Sequence, residues 1–131
     1  MGYLEEKDAI RDLMTRYCLS IAAGRNDEWV DCFTEDGTFN SPILGKWTGP
    51  KKLLAFTERY KEWTGEAQPR HCVMNILIEV NHDAATAESY LLMTHAEGGK
   101  TELVISGRYE DEIRKVDGQW RFLERHLLFL F

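Results

Sequence analysis

The sequence has few cysteines, no long apolar run and no surplus of basic residues, and each shortage excludes a class of protein. Its 3 cysteines, Cys18, Cys32 and Cys72, lack the close paired spacing of a zinc knuckle or redox motif, so we predict reduced, mostly buried thiols. No stretch approaches the length that spans a membrane. Because 16 Lys and Arg stand against 22 Asp and Glu, with a net charge of -6, nucleic acid is not an expected partner.

The N-terminal segment and the composition predict a cytoplasmic protein of one domain. Glu5, Glu6 and Lys7 lie where a secretory signal needs an apolar run. At 131 residues, with 44% hydrophobic and 29% charged residues, the chain has the size and balance of one globular domain, which we place at residues 1–131.

The first half of the chain has the period of helices. Apolar residues at three- and four-residue steps predict a helix over residues 4–23, which Gly24 ends. A short second helix begins at Asn26 or Asp27. Its expected buried side carries Trp29, Val30, Cys32 and Phe33. Asp36-Gly37 is then expected to end this helix.

A small hairpin and a third helix follow. Residues 38–41 alternate as a short strand does, and residues 45–49 are its expected partner. Pro50 is suited to the first turn of a helix that continues through Trp63.

After Arg70 the period changes to that of strands. We predict strands at residues 71–80, 85–96, 101–116 and 119–130. Such a meander must curl if helices are to cover its apolar face. The predicted fold is therefore α+β, a cone-shaped roll with three N-terminal helices packed on a curved antiparallel sheet of four long strands plus a short hairpin.

This order of elements excludes a dinucleotide-binding fold, and no glycine-rich phosphate loop is present. The 4 histidines show no paired short spacing. We therefore expect neither a cofactor nor a metal.

Strand parity suggests which polar residues face an apolar pocket. His71 and Asn75 differ by an even number of positions and share a predicted face with Val73 and Leu77. The same rule groups Leu91, Met93 and His95 on the next strand. From periodicity alone, a core or edge histidine with ordinary hydrogen-bond partners is the favoured interpretation of both His71 and His95.

Aromatic residues supply the expected core and the lining of the pocket. Those that we expect to contact a ligand are Trp29, Phe33, Phe39, Trp47, Phe56 and Phe129. Residues 127–131 form a continuous apolar run, and such a strand is buried on both faces. One face of this strand would pack on the core and the other would lie in a subunit interface, so we predict a homodimer.

Several local patterns together resemble one family. They are Tyr17 in the first helix, Phe33-Thr34-Glu35-Asp36-Gly37, His71 opening a strand, Ala87-Glu88-Ser89-Tyr90, Gly107-Arg108-Tyr109-Glu110-Asp111, Asp117-Gly118-Gln119-Trp120-Arg121-Phe122 and Arg125. Nearly the whole chain resembles the SnoaL-like families of the nuclear transport factor 2-like superfamily, whose scaffold hosts enzymes and binding domains alike.

The resemblance implies roles for some residues. The dehydratase branches of the family use a pocket histidine as base, oriented by an Asp on the first helix, and His71 and Tyr17 match the pocket His and a pocket Tyr. The Asp position falls at Ala22, and a second acidic position falls at Met93. Arg125 matches a recurrent Arg, and we expect it to pair with a carboxylate such as Glu110 or Asp111.

Three functions remain open at this point. The first is a cofactor-independent lyase or isomerase, dehydratase-like, for a small apolar cyclic substrate, with His71 as base and Tyr17 as hydrogen-bond donor. The second is a non-catalytic ligand-binding or assembly domain, favoured by Ala22 and Met93 in place of acids. The third is a dioxygenase-type small subunit.

Overall fold

The computed structural model describes residues 2–130, which form helices packed on a 6-stranded sheet. The helices are α1 (Tyr3–Ala23), α2 (Asn26–Asp31) and α3 (Pro50–Thr64). The strands are β1 (Phe33–Ser41), β2 (Gly45–Thr48), β3 (Gln68–Asn81), β4 (Ala84–Glu97), β5 (Lys100–Val116) and β6 (Gln119–Phe129). The predicted α+β class and the four long antiparallel strands are confirmed.

Helix α1 buries one stripe of side chains. Ile10, Leu13, Tyr17 and Ile21 recur at three- and four-residue steps and are buried, as the sequence period predicts. Gly24 ends the helix with a φ of 73°, a left-handed conformation that glycine adopts without strain. This stripe holds the Tyr17 ring among the aromatic rings of the core.

The sheet is mixed, which corrects the predicted architecture. Its strand order is β2-β1-β6-β5-β4-β3, and β1 runs parallel to β6 while the other neighbours are antiparallel. The prediction that Cys32 and Phe33 belong to the second helix was wrong, because α2 ends at Asp31 and β1 begins at Phe33. The Phe122 amide donates to the Cys32 carbonyl at 2.8 Å, so a partner distant in sequence draws this segment into the sheet.

Gly37 lies inside β1, not at the end of a helix as predicted. The register of β1 on β6 shifts between Phe33 and Thr38, and Gly37 occupies the irregular stretch. A Cβ atom at Gly37 would lie 2.8 Å from the Phe33 Cβ and 2.9 Å from the Phe122 carbonyl oxygen. The absence of a side chain here allows close approach of β1 to β6.

We expect Gly37→Ala to lower the free energy of unfolding by about 1–3 kcal/mol, since the added methyl group meets backbone atoms that cannot move aside. Gly107→Ala is the comparison, because the 2.9 Å contact there is with the flexible Leu127 Cδ1 and the backbone contact, with the Leu128 carbonyl oxygen, is longer at 3.1 Å. Urea unfolding of both variants checks the prediction. An equal or smaller loss at Gly37 than at Gly107 would contradict it.

A bulge in β3 overturns the predicted placement of Asn75. The register of β3 on β4 shifts between Met74 and Leu77, and Asn75 has a φ of 55°. Asn75 is exposed and Leu77 is 57% exposed. Parity therefore holds from His71 to Val73 and inverts beyond the bulge, so Asn75 and Leu77 do not share the face of His71.

The apolar end of β6 lies inside the sheet, between β1 and β5. Leu127 is buried, and Leu128 and Phe129 are half-buried. The central position gives β6 backbone partners on both sides, and Leu127 is apolar because it packs in the core. The homodimer remains a prediction, and Phe131, the last residue of the apolar run, lies outside the described residues.

The cysteines are free, with Cys18 and Cys32 buried and Cys72 exposed. Burial raises the pKa of the Cys18 thiol to about 11, so it stays protonated and inert. Within residues 2–130, none of the helices combines the length and the hydropathy needed to cross a bilayer.

Candidate active site

A cavity of about 260 Å³ lies between the inner face of the sheet and helices α1 and α3. This volume is at the small end for ligand pockets and suits a compound of one or two rings. The predicted site residues that line it are Tyr17, Phe39, Trp47, Phe56, His71 and Met93. The sequence analysis thus identified much of the lining.

Four other predicted contacts lie outside this lining. Trp29 stacks on Phe56 with ring centres 5.5 Å apart, and it is buried in the closed core together with Phe33. Phe129 is half-buried and packs against the core. His95 lies just outside the cavity, with its ring centre 4.9 Å from that of Trp63. Aromatic character alone cannot separate core rings from lining rings.

His71 is the polar centre of the cavity wall. Its Nε2 atom lies 2.8 Å from the Tyr60 hydroxyl, while its buried Nδ1 has no hydrogen-bond partner within residues 2–130. Burial, together with the charges of Arg125 and His95, lowers the pKa of His71 to about 4. The ring is therefore neutral at physiological pH, with one nitrogen protonated and one carrying a lone pair.

Tyr60 is the functional residue that the sequence analysis missed. In the sequence, Tyr60 shares the apolar side of α3 with Phe56 and Trp63, and this pattern predicts a packing role in the core. The family resemblance directs attention instead to Ala22, which lines a separate groove at the ends of α1 and α3. Burial raises the pKa of Tyr60, so its phenol stays protonated and can donate to His71.

His95 is a second histidine close to the site. His71 pairs with Met93 and Pro69 pairs with His95 across β3 and β4, so both imidazoles are on one face of the sheet. The Nε2 atom of His95 is buried and has no hydrogen-bond partner among the described residues. Its ring lies against Trp63, which itself lines the cavity.

A buried ion pair supports the floor of the cavity. Arg125 Nε donates to Asp111 Oδ1 at 3.1 Å, and both side chains are fully buried. The predicted partnership with Asp111 is confirmed, whereas the alternative Glu110 pairs with Arg108. Burial raises the pKa of Asp111 to about 6, opposed by the Arg125 charge.

Tyr17 and Tyr109 separate this ion pair from the cavity. The Arg125 guanidinium lies 4.3 Å from the centre of the Tyr17 ring and 3.4 Å from that of Tyr109, within the range of cation–π contacts. Burial raises the pKa of Tyr17, and Tyr109 shares a hydrogen bond with it. Tyr17 is therefore a protonated phenol at the floor, and its role as donor to a ligand stays a prediction.

The mouth of the cavity is an apolar rim with one cation. Ile43 is 58% exposed and Trp63 is 53% exposed, and Leu44 completes the rim. Arg59 is the charged member of the lining, and no Asp or Glu lines the cavity within residues 2–130. Exposed apolar side chains around a cavity are typical of a binding site.

A second hollow, of about 470 Å³, lies at Glu88, Glu110 and Glu124 on β4, β5 and β6. It is larger than the cavity but open and acidic, and His71 and Tyr17 are not part of it. We assign the site to the smaller, apolar cavity because its polar groups converge there. In the described part of the chain, no three His, Cys, Asp or Glu residues are grouped as metal ligands.

Comparison with known proteins supports the family resemblance. The family model described as a SnoaL-like domain matches residues 2–126. No curated protein is significantly similar to this chain. A Mycobacterium tuberculosis protein of unknown function, Rv3472, is 32% identical over 97% of this chain and 77% of its own, with a TM-score of 0.89.

Two Novosphingobium aromaticivorans structures are also similar. A scytalone dehydratase-like protein is 26% identical over 98% of this chain and 86% of its own, with a TM-score of 0.84. A nuclear transport factor 2-like protein with a cystatin-like fold is 21% identical over 97% of this chain and 83% of its own, with a TM-score of 0.86, which shows the fold alone.

Proposed function

The chain belongs to the SnoaL-like domain family, and on that premise we propose that it is a cofactor-independent lyase or isomerase for a small, largely apolar cyclic compound. The observation that supports this most is the neutral His71 ring in the cavity wall. Its Nε2 atom is hydrogen-bonded to the Tyr60 hydroxyl, and its Nδ1 atom has no partner in residues 2–130. The similarity to a scytalone dehydratase-like protein favours the same class of reaction.

His71 acts as the base in this proposal. With Nε2–H donating to the Tyr60 oxygen, Nδ1 carries the lone pair and takes a proton from a carbon next to a carbonyl group. The C–H electron pair forms a new double bond and the carbonyl oxygen becomes an enolate oxygen. In a lyase, the group on the β carbon then departs with its bonding electron pair as the carbonyl re-forms, and it takes the proton from the His71 imidazolium. In an isomerase, His71 returns the proton to another carbon.

Tyr17 supplies the matching hydrogen-bond donor. Its phenol stays protonated because burial raises its pKa, so it can donate to the oxygen on which negative charge develops. Phe39, Trp47 and Phe56 line the cavity, where they would enclose the ring of the substrate and exclude water. A hydrogen bond is electrostatically stronger in such a site than in water.

Proton abstraction can be tested without knowing the substrate. We expect the protein to catalyse exchange of the acidic C–H protons of 2-tetralone in D2O, followed by proton NMR, and His71→Ala to slow this exchange at least tenfold, consistent with the usual size of acid–base catalysis. His82→Ala is the matched control, because His82 is exposed in the β3–β4 turn. Undiminished exchange by His71→Ala would refute His71 as base.

A non-catalytic binding domain is the second candidate, and one observation favours it. If the Tyr60 hydroxyl donates to Nε2, the lone pair of His71 is occupied and Nδ1 carries the proton, so the ring has no free base. Within residues 2–130 no carboxylate replaces the family Asp beside His71, so an imidazolium would lack a counter-charge. Tight binding of 2-tetralone with no exchange above the buffer rate would favour this candidate.

A further inference from the structure

From the distribution of charge around the cavity, we infer that its ligand is an anionic ring compound, an aromatic or alicyclic carboxylate whose ring enters the cavity and whose carboxylate binds Arg59 at the mouth. This inference rests on the proposed function for the cavity and names the class of its ligand. It concerns Arg59, an exposed residue of α3. Arg59 forms no hydrogen bond or ion pair with His71, Tyr60, Asp111 or Arg125.

The lining offers a cation and hydrogen-bond donors to a ligand. Arg59 is its charged member, and no Asp or Glu of residues 2–130 lines the cavity to oppose an anion. Tyr17 is a protonated phenol, and burial keeps Tyr60 protonated as well. An acceptor-rich ligand, and in particular one with a negative charge at its outer end, is the complement of this set.

Arg59 is free to bind such a group. Its neighbours on α3 include Glu58 and Glu62, yet Arg59 forms no ion pair with either or with any other described residue. A guanidinium group presents a planar fork of donors that matches both oxygens of a carboxylate. The chain has a net charge of -6, so an unpaired arginine beside its apolar cavity is not a consequence of general basicity.

The rim explains why the rest of the ligand is a ring. Ile43, Leu44 and Trp63 surround the mouth, and inside it Trp47 packs edge to face on Phe56, with ring centres 5.5 Å apart and an interplanar angle of 62°. Aromatic walls favour flat apolar rings through stacked and edge contacts. A carboxylate attached to such a ring stays at the wet rim, where it keeps part of its hydration and meets Arg59.

The test compares 2-naphthoate with its neutral isostere 2-naphthamide by isothermal titration calorimetry of the full chain. We expect naphthoate to bind about fivefold more tightly at low salt, the scale of a partly exposed charge-assisted pair. Arg59→Gln should abolish this preference without changing the affinity for naphthamide, and 0.5 M salt should weaken it in the wild type. Lys52→Gln is the matched control, since Lys52 is an exposed cation of the same helix outside the lining.

The outcomes separate this inference from the proposed function. Equal affinity for the two compounds, or a preference for naphthoate that survives in Arg59→Gln, overturns the anionic ligand and leaves the cavity as a site for neutral rings. Binding of neither compound overturns both the inference and the assignment of the cavity as the site for ring compounds. Arg59→Lys should retain part of the preference, because it keeps the charge and loses the two-point geometry.

Discussion

Replacement of Asp111 by alanine should lower the free energy of unfolding by about 3–5 kcal/mol, because it leaves the Arg125 guanidinium buried without a counter-charge. The pair is fully buried, Arg125 bonds to Asp111 through Nε, and Nη1 and Nη2 have no hydrogen-bond partner among the described residues. The rings of Tyr17 and Tyr109 compensate for only part of the lost Coulombic attraction.

The neighbouring residue on β5 provides a matched control for this variant. Glu110 pairs with Arg108 at 3.1 Å on the exposed face, so Glu110→Ala should change stability by no more than about 1 kcal/mol. Urea or thermal unfolding of both variants is the measurement. A double variant, Asp111→Leu with Arg125→Met, should recover much of the loss, because it removes both charges together. Equal effects of Asp111→Ala and Glu110→Ala would contradict a role of the buried pair in stability.

Acidification should destabilise the wild-type protein because His71 takes up a proton on unfolding. The variant His71→Gln should lose less stability over the same pH range. The folded protein lowers the pKa of His71 to about 4, below its ordinary value of 6.5, so the unfolded chain binds the proton first. This contribution to stability is complete above the unfolded pKa and is lost as the pH falls from 6.5 towards 4. Between pH 7.5 and pH 5 we expect the wild type to lose about 2 kcal/mol more than the variant.

The titration of Asp111 changes stability in the opposite direction over an overlapping pH range. Its folded pKa is raised from 3.8 to about 6, so the folded state binds this proton first and stability from this group is lost as the pH rises through 6. With His71 removed, the stability of the variant should therefore fall less between pH 7 and pH 5 than that of the wild type. Chemical unfolding at each pH is the measurement. Parallel curves for wild type and His71→Gln would show that His71 titrates normally in the folded state.

The sequence predicted the elements that show an apolar period within their own residues. It failed where an element depends on a strand partner far away in the sequence. Helices α1 and α3 and strands β4 to β6 follow the apolar period closely, because each buries one face against a layer beneath it. Phe33 was assigned to a helix because its strand partner, Phe122, lies near the other end of the chain. The bulge at Asn75 is a backbone event, and strict alternation cannot reveal it.

The candidate site shows the same division. His71 and Met93 could be placed in the cavity because parity along a strand fixes the face of each residue. The contact of Tyr60 with His71 joins α3 to β3, and neither spacing nor resemblance indicates it. The family pattern places the partner of the histidine at position 22 on α1, where this chain has Ala22. In this chain the hydrogen-bond partner of the histidine is a phenol from a different helix, Tyr60, and only the packing of α3 on the sheet reveals it.

The parallel pairing of β1 with β6 makes the cavity a late product of folding. His71 and Met93 lie on the β3–β4 hairpin, which forms from nearby segments, whereas Phe39 and Trp47 take their places only when β6 binds β1. Contacts between segments so far apart in sequence require the closure of a long loop, which slows folding. Affinity for ring compounds should therefore appear in the last kinetic phase of refolding, after the secondary structure of the meander has formed.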